Sequence, residues 1–134
     1  MNIFKKIGQW LRNLFKWSPL LEKTGKEVEP PVIFPAINIV QKPPKNEGVI
    51  EHQLYYVLSA KKPRWSLFKC PCGCGDVITL SLQSVHRPHW RLIKTPSGRP
   101  TLYPSIWRDK GCMSHFWLRD GRILWCIDTG SPPE

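Results

Sequence analysis

The segment Cys70-Pro71-Cys72-Gly73-Cys74-Gly75 places three thiols within five residues, relieved by a proline and two glycines. Thiolates bind zinc at about 2.3 Å in a tetrahedral shell, and glycine accepts the positive backbone angles that bring neighbouring ligands around one ion. This turn resembles a zinc knuckle and requires a further ligand from elsewhere in the chain. Cys112-Met113-Ser114-His115 offers one. On a straight strand Cys112 and His115 would face opposite sides, but Gly111 allows the chain to curl so that both converge. The candidate ligands are therefore Cys70, Cys72, Cys74, Cys112 and His115, with the choice of four left open by spacing alone. Cys126, beside Trp125, fits either a core thiol or a reserve ligand. An iron–sulfur cluster is the lesser alternative, since it normally takes four cysteines. The nearest acids, Asp76 and Asp109, lie in no metallopeptidase spacing, so the expected ion is a structural zinc.

The elements that must hold these ligands are short. At 134 residues the chain has room for one ordinary domain with appendages. Fourteen prolines and nine glycines argue against a helical bundle, and seven tryptophans argue against a wholly disordered chain. From Gly48 onward, short apolar runs alternate with turn residues: Leu54 to Leu58, Trp65 to Phe68, Val77 to Leu82, Trp90 to Ile93 and Thr101 to Ile106. Pro96-Ser97-Gly98 marks a turn, and Asp120-Gly121 between two apolar runs marks a hairpin joining Phe116 to Arg119 with Arg122 to Ile127. The expected fold is mainly β, a small zinc-stabilised antiparallel sheet or open barrel over residues 48–130. Ahead of it, residues 1–18 read as a basic amphipathic helix ended by Pro19, and residues 19–47 as a proline-rich linker. Within that linker, Val32 to Val40 could add to a sheet, with Pro35 confining it to an edge.

Twenty Lys and Arg against ten Asp and Glu give a net charge of +10, which attracts polyanions of any class. The N-terminal helix could lie on a membrane surface, although docking on protein is the more frequent use of such a stripe. No apolar run of about 20 residues is available to span a bilayer, and no signal-peptide pattern opens the chain, so a cytoplasmic location is expected, with peripheral membrane contact through residues 1–18. That compartment agrees with cysteines used for metal rather than disulfides.

Five elements in order carry a resemblance to a bacterial family, the BubE-like proteins, encoded beside ubiquitin-like conjugation genes. They are Cys70 to Gly75, Pro88-His89-Trp90, Leu102 to Trp107, Gly111 to Phe116 and Gly121 to Cys126, within a match running from about Gly48 to Cys126. The resemblance implies a peptidase that matures or removes a ubiquitin-like modifier, with the modifier or a conjugation enzyme as partner. Such chemistry needs a nucleophile and a base. Ser105, Ser114 and His115 are the motif residues able to supply them, with Asp109 as an orienting acid and His86 or His89 as other bases. Ser114 and His115 cannot simply pair, because neighbours on a strand point apart. Ser105 could reach His115 if that histidine is free of zinc. Two non-enzymatic readings stand beside this one: a zinc-stabilised protein-binding module of the same pathway, and, with less support, a nucleic-acid-binding zinc protein using Trp and Arg side chains.

Overall fold

The computed structural model describes residues 28–133, which form eight strands in two four-stranded sheets. The first holds β1 (Ile37–Val40), β2 (Leu54–Ser59), β3 (Lys62–Lys69) and β4 (Val77–Ser81) in that order. The second holds β5 (Arg91–Lys94), β6 (Pro100–Trp107), β7 (His115–Arg119) and β8 (Arg122–Trp125). All pairings are antiparallel except β1 with β2, which is parallel. The expectation of a mainly β fold is met, but as two sheets sharing one core rather than a single sheet or barrel. The only helical element among the described residues is a one-turn 3-10 segment at Asn46–Gly48. The amphipathic helix expected over residues 1–18 lies outside the described residues.

Alternation along the strands builds the shared core, because side chains one residue apart point to opposite faces. Leu54, Phe68, Ile78 and Leu80 from the first sheet meet Leu102, Ile106, Phe116, Leu118 and Ile123 from the second. Phe68 bridges the layers, 5.3 Å from Phe34 and 6.4 Å from Phe116 between ring centroids, both edge-on. Aromatic pairs favour this geometry, where a positive ring edge meets a negative face.

The packed unit begins earlier than Gly48. Phe34 is fully buried, and β1 lies on the edge of the first sheet, so part of the segment expected to be linker is structural. The expected sheet-adding segment Val32 to Val40 thus contributes both a strand and a core side chain. The backbone amides of Ile33 and Phe34 donate to the carbonyl of Gly121, fastening this segment to the tip of the last hairpin.

That hairpin turns on Asp120 and Gly121, both with positive φ (49° and 73°), the combination that matches the twist of the flanking strands. Asp120 accepts hydrogen bonds from Thr95 and Ser97, which hold its carboxyl below the usual carboxylate range and tie the hairpin to the β5–β6 turn. A side chain at position 121 would run into the Phe34 carbonyl and Arg99. Gly121→Ala should therefore lower folding stability by more than about 2 kcal/mol, from left-handed backbone strain plus the collision. Urea unfolding measures this, and an unchanged midpoint would contradict the packing described for the hairpin.

Candidate functional site

The Cys70 to Gly75 turn follows β3 and folds back on itself, with Gly73 and Gly75 at φ of 90° and 85° and the Cys70 amide donating to the Asp76 carbonyl. Across the molecule, the loop between β6 and β7 brings Cys112 to the same place. The sulfurs of Cys70, Cys72, Cys74 and Cys112 all lie within 4.8 Å of one another. Cys70 Sγ is 3.4 Å from Cys72 Sγ and 3.7 Å from Cys112 Sγ. The edge of a tetrahedron with metal–sulfur bonds of about 2.3 Å is about 3.8 Å, so the four thiols could hold a metal ion with small adjustments.

A cation, the Arg108 guanidinium, faces the thiols. Arg108 places Nη1 3.1 Å from Asp76 Oδ2, 3.6 Å from Cys112 Sγ and 3.8 Å from Cys74 Sγ. Burial alone would lower its basicity, but the Asp76 carboxylate and the neighbouring thiols more than reverse this and hold the guanidinium charged. Burial also raises the Cys112 thiol, but donation from the Ser114 hydroxyl and backbone and from the Cys72 and Cys70 thiols outweighs it, leaving Cys112 at about 6. Burial pushes Cys70 the other way, to about 12. Of these two thiols, Cys112 is the one whose neighbours favour the thiolate form that binds metal.

His115, the fifth candidate ligand, is not in this group. Its ring points to the outer face of the second sheet, where Nε2 lies 3.1 Å from Ser105 Oγ and Nδ1 lies 2.6 Å from Asp128 Oδ1. With Asp128 accepting from Nδ1–H, Nε2 is left to accept from the Ser105 hydroxyl, the tautomer a serine nucleophile needs. The imidazole stacks on Trp107 with ring centroids 4.1 Å apart and planes 2° from parallel. Its backbone is fixed by donation to Thr129 Oγ1 and acceptance from Cys126 N–H, both 2.9 Å.

Ser105 reaches this position through a bulge. Between Leu102↔Leu118 and Ile106↔Phe116, β6 advances four residues while β7 advances two. Pro104 has no N–H to give to the ladder, and the extra residues re-aim the Ser105 side chain. Trp90 donates its indole N–H to the Ser105 carbonyl at 3.2 Å, fixing the bulge from β5's side.

The remaining candidates lie elsewhere. Ser114 is buried and donates to Cys112 Sγ at 3.1 Å, so it belongs to the cysteine cluster rather than to His115. Asp109 is exposed in the β6–β7 loop and makes no hydrogen bond to His115; the carboxylate there is Asp128. Asp128 escaped the reading of the sequence, although hairpin arithmetic could have found it. With Phe116 opposite Trp125, the next pair outward is His115 and Cys126, and Asp128 follows in the turn. His86 pairs with Ser81 at 2.6 Å, but that serine is buried, and among the described residues no carboxylate joins the pair. His89 lies against Arg87 and the His86 carbonyl in the same loop. Cys126 sits beside the Ser105 group, yet burial and then the Asp128 charge push its thiol up, which disfavours the thiolate a cysteine nucleophile requires.

A family model described as bacterial ubiquitination-like system serine protease (BubE) matches residues 39–126, more than half of the chain. The chain belongs to this family. No curated protein and no solved structure matches it.

The separation of the two groups has a measurable consequence. Purified without chelator, the chain should carry one tightly held metal ion, lost in Cys72→Ser and Cys112→Ser but kept in His115→Ala. Elemental analysis decides this, and loss of that ion in folded His115→Ala would return the histidine to the ligand set.

Proposed function

We propose that this member of the BubE family is a serine peptidase that matures or removes the ubiquitin-like modifier of its pathway, with Ser105 as nucleophile, His115 as base and Asp128 as the orienting acid. The observation that carries this reading is the unbroken chain of hydrogen bonds Ser105 Oγ, His115 Nε2, His115 Nδ1, Asp128 Oδ1 on the outer face of the second sheet. The family description supports it independently.

In the proposed reaction Ser105 Oγ attacks the scissile carbonyl carbon while its proton passes to His115 Nε2. The C–N bond then breaks, the departing amine takes that proton from His115, and the acyl group remains as an ester on Ser105. Water, deprotonated by the same imidazole, attacks the ester. The products are a free carboxylate and a restored serine hydroxyl. Asp128 keeps Nδ1 protonated and stabilises the imidazolium formed in both steps, and Trp107 prevents the ring from turning away. An open groove of about 380 Å³ lined by His89, Arg91, Tyr103 and Pro104, the last of them the residue before Ser105, is available for an extended segment of substrate.

The metal belongs to the scaffold in this reading. Cys70, Cys72, Cys74 and Cys112 would hold zinc in a closed four-thiolate shell, which supplies a cross-link and no open position for substrate.

Two expectations separate this proposal from a non-catalytic binding module. Ser105→Ala and His115→Ala should each reduce cleavage of a modifier precursor by at least about a thousandfold, with Asp128→Asn reducing it by at least about a hundredfold. Asp109→Asn should stay within about twofold of the parent, because it touches none of these groups. Gel-based cleavage with circular dichroism as a folding control measures both. Cleavage by folded Ser105→Ala at the parent rate would exclude the serine mechanism.

A further inference from the structure

The peptidase reading uses a serine, a histidine and a carboxylate, and leaves a thiol beside them without a task. Cys126, His115 and Asp128 present one sulfur, one imidazole nitrogen and one carboxylate oxygen, all within 4.8 Å of one another. The fold forces this approach. The Cys126 amide donates to the His115 carbonyl at 2.9 Å, which sets the two residues opposite each other, and the Thr129 amide donates back to the Cys126 carbonyl, turning Asp128 toward the imidazole. We propose that these three residues form a second, regulatory metal site for zinc or a similar borderline-soft divalent ion, and that its occupancy switches the peptidase off.

The donor set fits this class of ion. Thiolate, imidazole and carboxylate together select zinc over the hard ions magnesium and calcium, and three protein ligands leave one position for water. Access exists, since the Asp128 side chain is 43% exposed. The site shares no residue with the four-cysteine cluster, whose sulfurs come from the β3–β4 turn and the β6–β7 loop.

Binding and catalysis exclude each other through His115. The Nδ1···Oδ1 distance of 2.6 Å is shorter than the edge of about 3.3 Å that separates two ligands of a tetrahedral zinc bonded at about 2.0 Å. Seating the ion on Nδ1 therefore opens the hydrogen bond between His115 and Asp128. If the ion takes Nδ1, the remaining proton of the neutral ring lies on Nε2, which then cannot accept from Ser105; if it takes Nε2, the acceptor is occupied directly. Either geometry removes the base. Binding of the ion stands on the three donors alone, whereas the inhibition rests on the proposed peptidase activity.

The test uses the full chain with its four-cysteine site loaded. Equilibrium dialysis against micromolar zinc should show two ions per chain in the parent and in Ser105→Ala, and one in Cys126→Ser. A second equivalent of cobalt(II) should add a thiolate charge-transfer band that Cys126→Ser lacks. In the cleavage assay, the second zinc equivalent should slow the parent more than tenfold, reversibly on adding a weak chelator, while Cys126→Ser keeps its activity at the same zinc concentration. Equal stoichiometry in parent and Cys126→Ser would overturn the site. Two ions bound through Cys126 with cleavage unaffected would overturn the switch. Two ions bound through Cys126 in a chain that cleaves no modifier precursor would support the site and remove the peptidase reading beneath the switch.

Discussion

The constraint on which the rest of the molecule depends is the convergence of four thiols from two segments, Cys70 to Cys74 and Cys112, that are far apart in sequence. The first segment leaves the end of β3 in one sheet. The second interrupts the connection between β6 and β7 in the other. A metal ion held by these thiols would cross-link the layers, and a domain with strands this short would gain from it, because a small fold buries too little apolar surface to offset its chain entropy comfortably. The thiols also set a local charge problem, which Arg108 answers by lying against Cys74, Cys112 and Asp76 together. Arg108 is the residue after β6, so the charge balance of the cluster reaches directly to the strand that carries Ser105.

The cysteine cluster and the Ser105 group are thus two faces of one loop. Residues 108–114 leave the bulged strand of the proposed nucleophile, wrap the thiols, and enter the strand of the proposed base. Ser114, adjacent to His115, faces inward and donates to Cys112 Sγ, while His115 faces outward to Ser105 and Asp128. Alternation along the chain at this point makes one residue serve the cluster and the next serve the site. The last turn closes the arrangement, with Gly130 N–H donating to the Met113 carbonyl and the Trp107 indole donating to the Ser131 carbonyl. Distant packing enters the same system, since the hairpin that supplies His115 and Asp128 is braced at its tip by Phe34 and Asp120.

Local features of this design were legible in the sequence because local chemistry determines them. The Asp120-Gly121 hairpin and the turn at Pro96-Ser97-Gly98 appear where backbone preferences require them, and the glycine-relieved segment folds into the turn that gathers Cys70, Cys72 and Cys74. The division into two sheets was not legible, because it depends on which strand faces cover each other rather than on any single strand's pattern. Phe34 illustrates the limit: a segment rich in proline reads as linker, yet one aromatic side chain in it fills the centre of the core. Spacing left His115 open between metal ligand and base for a related reason. Three residues from Cys112, it suits a ligand pair, and only the curl of the loop decides that the sulfur turns inward and the imidazole outward. Asp128 was missed because its role depends on hairpin register, a relation between two strands. Ser105 stood out as a motif residue of the family resemblance, but the bulge that aims it comes from Pro104 meeting a neighbouring ladder.

Whether the cysteine cluster, once loaded with metal, holds Ser105, His115 and Asp128 in the proposed reactive arrangement is read by labelling of Ser105 with a fluorophosphonate. With the four-thiolate site loaded, the probe should modify Ser105 at a rate that falls at least about a hundredfold on full chelation and returns on adding back one equivalent of zinc. Labelling that proceeds equally fast in the chelated, metal-free chain would show that the Ser105 group stands without the ion and that the cysteine cluster does not support it.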